Sequence, residues 1–158
     1  MGGVRVFVPL LLLPLAAAAQ PAPGSLALPF AEACVTSPFG ARDGAGRRAS
    51  TFHQGVDLRA SAGTWVRAVA AGRVTAVRRI GGTGLSVDVT LPDGTITRFA
   101  HLGQVAPALA NGKREVATGD PLGRVGRTGI SYGAHLHFEL VVRGERIDPA
   151  PVLGVGPC

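Results

Sequence analysis

Cysteine is scarce in this chain: two among 158 residues, Cys34 and Cys158. Two thiolates cannot complete a four-cysteine zinc site, and they are too few for a disulfide-dense miniprotein. Charged residues make up 16%, against 46% hydrophobic residues, which excludes a disordered tail protein. Aromatic residues reach 5%, with one Trp and one Tyr, so few rings could stack nucleic-acid bases. No His-Glu-x-x-His run occurs, which removes a helical Glu base from consideration. No sustained 3.6-residue period and no internal repeat are found, which argues against long helices and solenoids. The length leaves room for one modest domain.

Turn chemistry is abundant, with 23 Gly and 12 Pro. From Thr64 onward short β-like runs alternate with such residues. Trp65–Ala70 and Arg73–Ile80 are two runs, the second with Val74, Ala76 and Arg78 on one face. Leu85–Leu91 sets Leu85, Val87, Val89 and Leu91 against Ser86, Asp88 and Thr90, the period-2 pattern of a half-buried strand. Pro92-Asp93-Gly94 then turns the chain into a partner strand, Thr95–Leu102. Pro121–Arg127 and Ala134–Arg143 are further strands, with turns at Gly129–Gly133 and Arg143–Glu145. The expected fold is all-β and antiparallel. Trp65 and Phe138 are expected in its core, and Phe39–Phe52 reads as a long exposed loop. Asp148-Pro149 is expected to end a strand.

The first 19 residues have a basic start at Arg5, a short apolar run through Leu15, and the small residues Ala17-Ala18-Ala19. That order is expected of a secretory signal peptide over residues 1–19. A membrane anchor is the alternative, but the run is short and Pro9 and Pro14 interrupt it. No Cys follows the run to carry a lipid. Cleavage after Ala19 leaves 15 basic against 10 acidic residues, a net charge of +5, and no stable membrane anchor. Residues 20–36 read as an extended Pro/Ala-rich lead. Export to the periplasm or the exterior places both thiols in an oxidising compartment. One Cys34–Cys158 disulfide tying the ends together is the favoured outcome. An intermolecular bridge and two free thiols are its rivals.

The chain has four His: His53, His101, His135 and His137. His135 and His137 sit two apart on a strand, so both imidazoles project from one face. His53 and Asp57 lie four apart, and His101 closes the Phe99–Leu102 run. Singly, each is a weak signal; together they use every His in the chain. Two His and one Asp suit a catalytic Zn²⁺, leaving a fourth position for a water that acts as hydroxide. Two further His could position that water, shuttle protons or stabilise an oxyanion. Spacing alone does not say which of His135 and His137 binds the metal.

The segments Phe52-His53-Gln54-Gly55-Val56-Asp57-Leu58, Phe99-Ala100-His101-Leu102 and Gly126-Arg127-Thr128-Gly129 through Gly133-Ala134-His135-Leu136-His137-Phe138-Glu139 resemble the lysostaphin/LytM-type zinc metallopeptidases. The resemblance runs from about Ser37 to Pro149 and includes Ser37-Pro38-Phe39-Gly40-x-Arg42. It implies a catalytic domain over residues 37–158, a twisted antiparallel sheet or sandwich with its groove between loops. It implies one Zn²⁺ per chain, held by His53, Asp57 and His137, with His101 and His135 as catalytic histidines. It implies an exported metalloendopeptidase that hydrolyses peptide cross-links of bacterial peptidoglycan, the activated water attacking the amide carbonyl. Ser86 stands near where relatives often carry Asn or Tyr, so substrate contacts there are not carried over. No wall-binding module or inhibitory prosegment is recognised, so a bare catalytic domain is expected. The alternatives are a catalytically quiet activator of another wall hydrolase and a non-catalytic wall-binding module.

The net positive charge suits an anionic wall polymer. A nucleic-acid partner is not expected, since the basic residues are dispersed. A monomer is expected, open to a regulatory protein partner. Glu139, on the His137 face, is a candidate to orient that imidazole. Arg42 is a candidate for a substrate carboxylate, against a solvated loop Arg, and Tyr132 for a substrate contact. Gly129 and Gly133 are expected to shape the groove edge.

Overall fold

The computed structural model describes residues 22, 25–42 and 50–158. The expected signal peptide and residues 43–49 of the expected loop lie outside the described residues. Among these described residues twelve strands and two four-residue helices follow in order: β1 (Val35–Ser37), β2 (Gly40–Ala41), β3 (Phe52–His53), β4 (Val56–Arg59), β5 (Trp65–Arg67), β6 (Gly72–Ile80), β7 (Gly84–Thr90), β8 (Ile96–Val105), α1 (Pro107–Ala110), β9 (Glu115–Val116), β10 (Pro121–Val125), β11 (His135–Val142), β12 (Glu145–Ile147) and α2 (Ala150–Leu153). The principal sheet runs β1-β4-β11-β8-β7-β6-β9, with β10 bridging β5 and β8 and β12 beside β11. The paired strands in it are antiparallel, as expected. β2 and β3 make a separate two-stranded ribbon. Among the described residues no helix is long and apolar enough to cross a membrane.

The turns follow from local chemistry. Asp93 Oδ1 accepts the Thr95 N–H at 2.9 Å and Gly94 takes φ +85°, which reverses β7 into β8. Arg143 and Gly144 both take positive φ, the conformation that suits a two-residue hairpin between β11 and β12.

Residues opposed in a ladder share a face. Along β4, β11, β8 and β7, Leu58–Leu136, Val56–Phe138–Phe99–Val87 and Leu140–Thr97–Val89 therefore line one side. These side chains are buried and form the hydrophobic core. The opposite side carries Asp57–His137–Ala100 and Glu139–Arg98–Asp88. That polar side is also buried: Asp88 and Glu139 are 3% and 2% exposed. Leu85–Leu91 is therefore not a half-buried strand, because its Ser86 and Asp88 face is covered as well. Two ion pairs offset the burial of Asp88, since Arg98 holds it through Nε and Nη2 at 2.8 and 2.9 Å and Arg78 reaches it at 3.0 Å.

Two other expectations need correction. Val74 does not share a face with Ala76 and Arg78, because the β6–β7 register shifts between Val74 and Ala76. Trp65 is half-buried, with the Arg124 guanidinium 3.8 Å above its ring. Asp148-Pro149 ends β12, as expected, and leads into α2, where Asp148 Oδ1 accepts the Ala150 N–H at 3.0 Å. The described part of the lead is docked and bends over residues 26–32, where Glu32 takes φ +57°: Leu26 N–H donates to Val152, Ala27 N–H to Val69, and Pro29 accepts from Arg67 N–H. Phe52 is exposed and Phe39 half-buried, their rings meeting edge-on at 5.3 Å.

Cys34 and Cys158 form an intramolecular disulfide across 124 residues. It fixes the C-terminus beside β1, where Val35 N–H donates to Gly156 and Cys158 N–H to Val35. In a chain-entropy picture a loop of that length contributes about 4–5 kcal/mol. Reduction is expected to lower the thermal midpoint cooperatively, as read by circular dichroism. Asp88→Ala removes two of the three side-chain hydrogen bonds of Arg98, leaving that to Glu139, and is expected to destabilise by about 2–3 kcal/mol in urea titration. Arg73→Ala, which removes an exposed pair with Glu115, should change stability by less than about 1 kcal/mol.

Candidate metal centre and catalytic groove

Three side chains meet at the floor of a groove of about 790 Å³. β4 and β11 place Asp57 opposite His137. The short link from β3 to β4 brings in His53, and Gly55 makes the link possible: a Cβ there would sit 2.2 Å from the Phe138 carbonyl oxygen. His53 Nε2 lies 3.1 Å from Asp57 Oδ1, and His137 Nδ1 lies 2.9 Å from the same oxygen. The two ring nitrogens are 3.0 Å apart.

Their partners fix the protons. His53 Nδ1–H donates to the Pro38 carbonyl at 2.7 Å, and His137 Nε2–H to Glu139 Oε1 at 3.3 Å. Neither a carbonyl nor a carboxylate can donate, so His53 Nε2 and His137 Nδ1 are left holding lone pairs. Two lone pairs facing each other at 3.0 Å beside a carboxylate form a donor set for a cation. Donor atoms around a tetrahedral Zn²⁺ stand about 3.3 Å apart. The three separations here fall slightly short of that, so two imidazoles and one carboxylate oxygen fit such an ion.

The carboxylates beside the rings are ionised. Burial pushes the Asp57 carboxyl up, but the adjoining His137 and His53 imidazoles outweigh it and hold its pKa well below the usual carboxylate range. Burial pushes Glu139 up as well, yet His137, Arg146 and Arg98 bring it down to about 2. For His137, burial favours the neutral ring, and Asp57 and Glu139 together overcome it and raise its pKa, so a cation at Nδ1 competes with a proton there.

The other two imidazoles stand beside this cluster. The His101 ring is 4.8 Å from that of His135 and 5.7 Å from that of His137. His101 Nδ1–H donates to the Thr128 carbonyl at 2.8 Å, and His135 Nδ1–H to the Gly133 carbonyl at 3.0 Å. Each therefore keeps Nε2 free, and that of His135 lies 3.5 Å from Asp57 Oδ1. Burial lowers the His101 pKa to about 4, so its ring is neutral at neutral pH. His101 also has φ +58°, a left-handed conformation that costs a non-glycine residue about 1–2 kcal/mol.

All five residues expected to hold metal or assist catalysis are thus brought together. Glu139 lies behind the cluster, as its position on the strand implied, anchored by Arg98 at 3.1 Å and Arg146 at 2.9 Å. Arg42 is not a solvated loop residue: its Nη2 donates to Asp57 Oδ2 at 3.2 Å and to Ser37 Oγ at 2.8 Å. Tyr132 lines the groove and is 71% exposed. Gly133 is on the groove edge, while Gly129 packs against the backbone of Gly82 and Gly84 beneath it. Ser86 is buried on the polar face of the sheet. Sequence reasoning missed Arg98 and Arg146, whose signal is cross-strand: each lies on a strand beside β11, within reach of Glu139. It also gave no role to Thr128.

A model of Peptidase family M23 matches residues 51–149. The DD-carboxypeptidase/endopeptidase Mpg of Neisseria meningitidis serogroup B is 38% identical over 118 residues, which are 75% of this chain and 26% of Mpg. The murein hydrolase activator EnvC of Escherichia coli is 34% identical over 101 residues, 64% of this chain and 23% of EnvC. The chain thus spans about a quarter of the length of these relatives. The catalytic domain of lysostaphin from Staphylococcus simulans superposes with TM-score 0.64 at 26% identity, covering 74% of this chain and 89% of that domain. Family match, sheet and groove agree with the resemblance carried by the histidine motifs, and the chain belongs to Peptidase family M23.

Proposed function

We propose that this chain is an exported zinc-dependent endopeptidase that hydrolyses peptide cross-links of bacterial peptidoglycan. The observation that carries the reading is the set of hydrogen-bond partners around the four imidazoles. Each has one nitrogen committed to a carbonyl or carboxylate, which leaves the other free. The family is zinc-dependent, and His53, Asp57 and His137 would hold the ion. A bound Zn²⁺ supplies a Lewis acid that polarises an amide carbonyl and activates water.

The chain's own residues do the rest. Arg42 holds Asp57 Oδ2 and thereby turns Oδ1 toward the two ligand imidazoles. Glu139 keeps the proton on His137 Nε2, so that Nδ1 can donate its lone pair. His135 Nε2, free and beside the Asp57 carboxylate, is placed to take a proton. Burial keeps His101 neutral and fixes it as a second proton-handling or oxyanion-stabilising group. The groove of about 790 Å³ would receive the peptide, with Tyr132, exposed in its lining, as a contact for it. We assign residues 1–19 to a signal peptide, the mature chain to a monomer, and its site of action to the periplasm or exterior.

The likeness to EnvC supports a second reading, a quiet activator of another wall hydrolase. The two separate on isolated cell wall. The endopeptidase releases cross-link fragments, loses activity with chelator and regains it with Zn²⁺. A zinc-loaded protein that leaves cross-links intact, yet stimulates a wall amidase, is the activator. Purified protein is expected to carry about one zinc per chain by elemental analysis. His101→Ala should lower hydrolysis by roughly 10²–10⁴-fold while keeping most of the metal. His53→Ala should lose both.

A further inference from the structure

β8 does not run straight through His101. Leu85 opposes Leu102 and Val87 opposes Phe99, so Ser86 alone faces two residues, Ala100 and His101. That is a β-bulge with His101 as its extra residue. Strict alternation from Ala100 would send His101 toward the hydrophobic core and Leu102 to the polar face. The bulge reverses this. His101 emerges beside His135 and His137, and Leu102 is fully buried.

A bulge of this kind leaves ladder groups without their usual partners. Here one hydroxyl from outside the strand pair takes them. Thr128 Oγ1 accepts the Leu85 N–H at 2.8 Å and donates to the Leu102 carbonyl at 2.7 Å. Leu85 and Leu102 are the opposed pair at the edge of the bulge, so the hydroxyl is inserted between the two strands. The carbonyl of the same residue accepts His101 Nδ1–H. The neighbouring backbone completes the frame: His101 N–H donates to Thr83 and Gly126 N–H to His101. The fit at Thr128 is close. A Cβ on Gly84 would lie 2.5 Å from the Thr128 hydroxyl oxygen and 2.3 Å from its carbonyl carbon.

We propose that Thr128 is the positioning residue for His101: its hydroxyl wedges β7 from β8 to sustain the bulge, and its carbonyl sets the imidazole tautomer. This rests on the reading of His101 as a proton-handling group. It adds that the group is aimed by a side chain that touches neither metal nor substrate. A threonine acting only as loop packing would have no hold on which His101 nitrogen carries the proton.

The test is long-range ¹H–¹⁵N correlation of the imidazoles in the zinc-loaded protein, for wild type, Thr128→Ser and Thr128→Val. Wild type and T128S, which keeps the hydroxyl, should show His101 as the pure Nδ1–H tautomer. T128V, similar in shape but without the hydroxyl, should show tautomer exchange at His101 with zinc content unchanged. Its kcat on wall substrate should fall on the order of 10²-fold with KM nearly constant. A folded T128V with the wild-type His101 tautomer overturns the proposal, whatever its activity. So does an Nε2–H tautomer in the wild type, which decides the matter even if T128V does not fold. If the tautomer shifts in T128V but wild type releases no wall fragments, the positioning stands and the endopeptidase reading fails.

Discussion

The pairing of β11 with β4 on one side and β8 on the other is the constraint on which the rest depends. It sets His137 opposite both Asp57 and Ala100, and it sets Glu139 opposite Arg98. Because side chains alternate along a strand, the same register sends Leu136, Phe138 and Leu140 into the core. A slip of one residue would exchange the two sets, burying imidazoles among aliphatic side chains and turning Phe138 into the groove. The hydrophobic core and the polar cluster therefore enforce each other through a single register.

Much of the polar face is buried as well, although Asp57, Arg98 and His135 keep partial exposure. Buried carboxylates are tolerated where their lone pairs are used. Asp88 has two guanidinium partners, and Glu139 has two guanidiniums and an imidazole. Arg98 joins the two carboxylates, so a row of alternating charges runs from β6 to the back of His137. This row gives the groove floor a rigid support. Both peripheral His, by contrast, are held by loop carbonyls, Thr128 and Gly133, which lie on the 126–133 segment. One segment thus steers both imidazoles outside the proposed ligand set.

Much of this was legible in the sequence, for identifiable reasons. Leu136, Phe138 and Leu140 alternate with His135, His137 and Glu139, so the strand and its two faces could be read directly. His53 and Asp57 were legible as a motif, and Gly55 between them reflects the close approach of β11. The burial of Ser86 and Asp88 was not, because alternation reports two unlike faces and not whether both are covered. Trp65 was expected in the core, yet its ring serves as a seat for Arg124, a tertiary contact with no local signature. The bulge at His101 escaped for a related reason. Its cause lies 27 residues away at Thr128, and the extra residue is visible only once β7 and β8 are aligned. Arg42 looked like a solvated loop residue because its partner, Asp57, is distant in the chain.

The central claim is a division of labour among four histidines: two hold the ion and two do not. Zinc K-edge X-ray absorption of the loaded protein measures this directly, since imidazole rings bound to zinc add characteristic outer-shell scattering. The account predicts two imidazoles, with oxygen or nitrogen donors completing the shell and no sulfur. A shell with three or four imidazoles would put His101 or His135 on the metal and contradict the assignment.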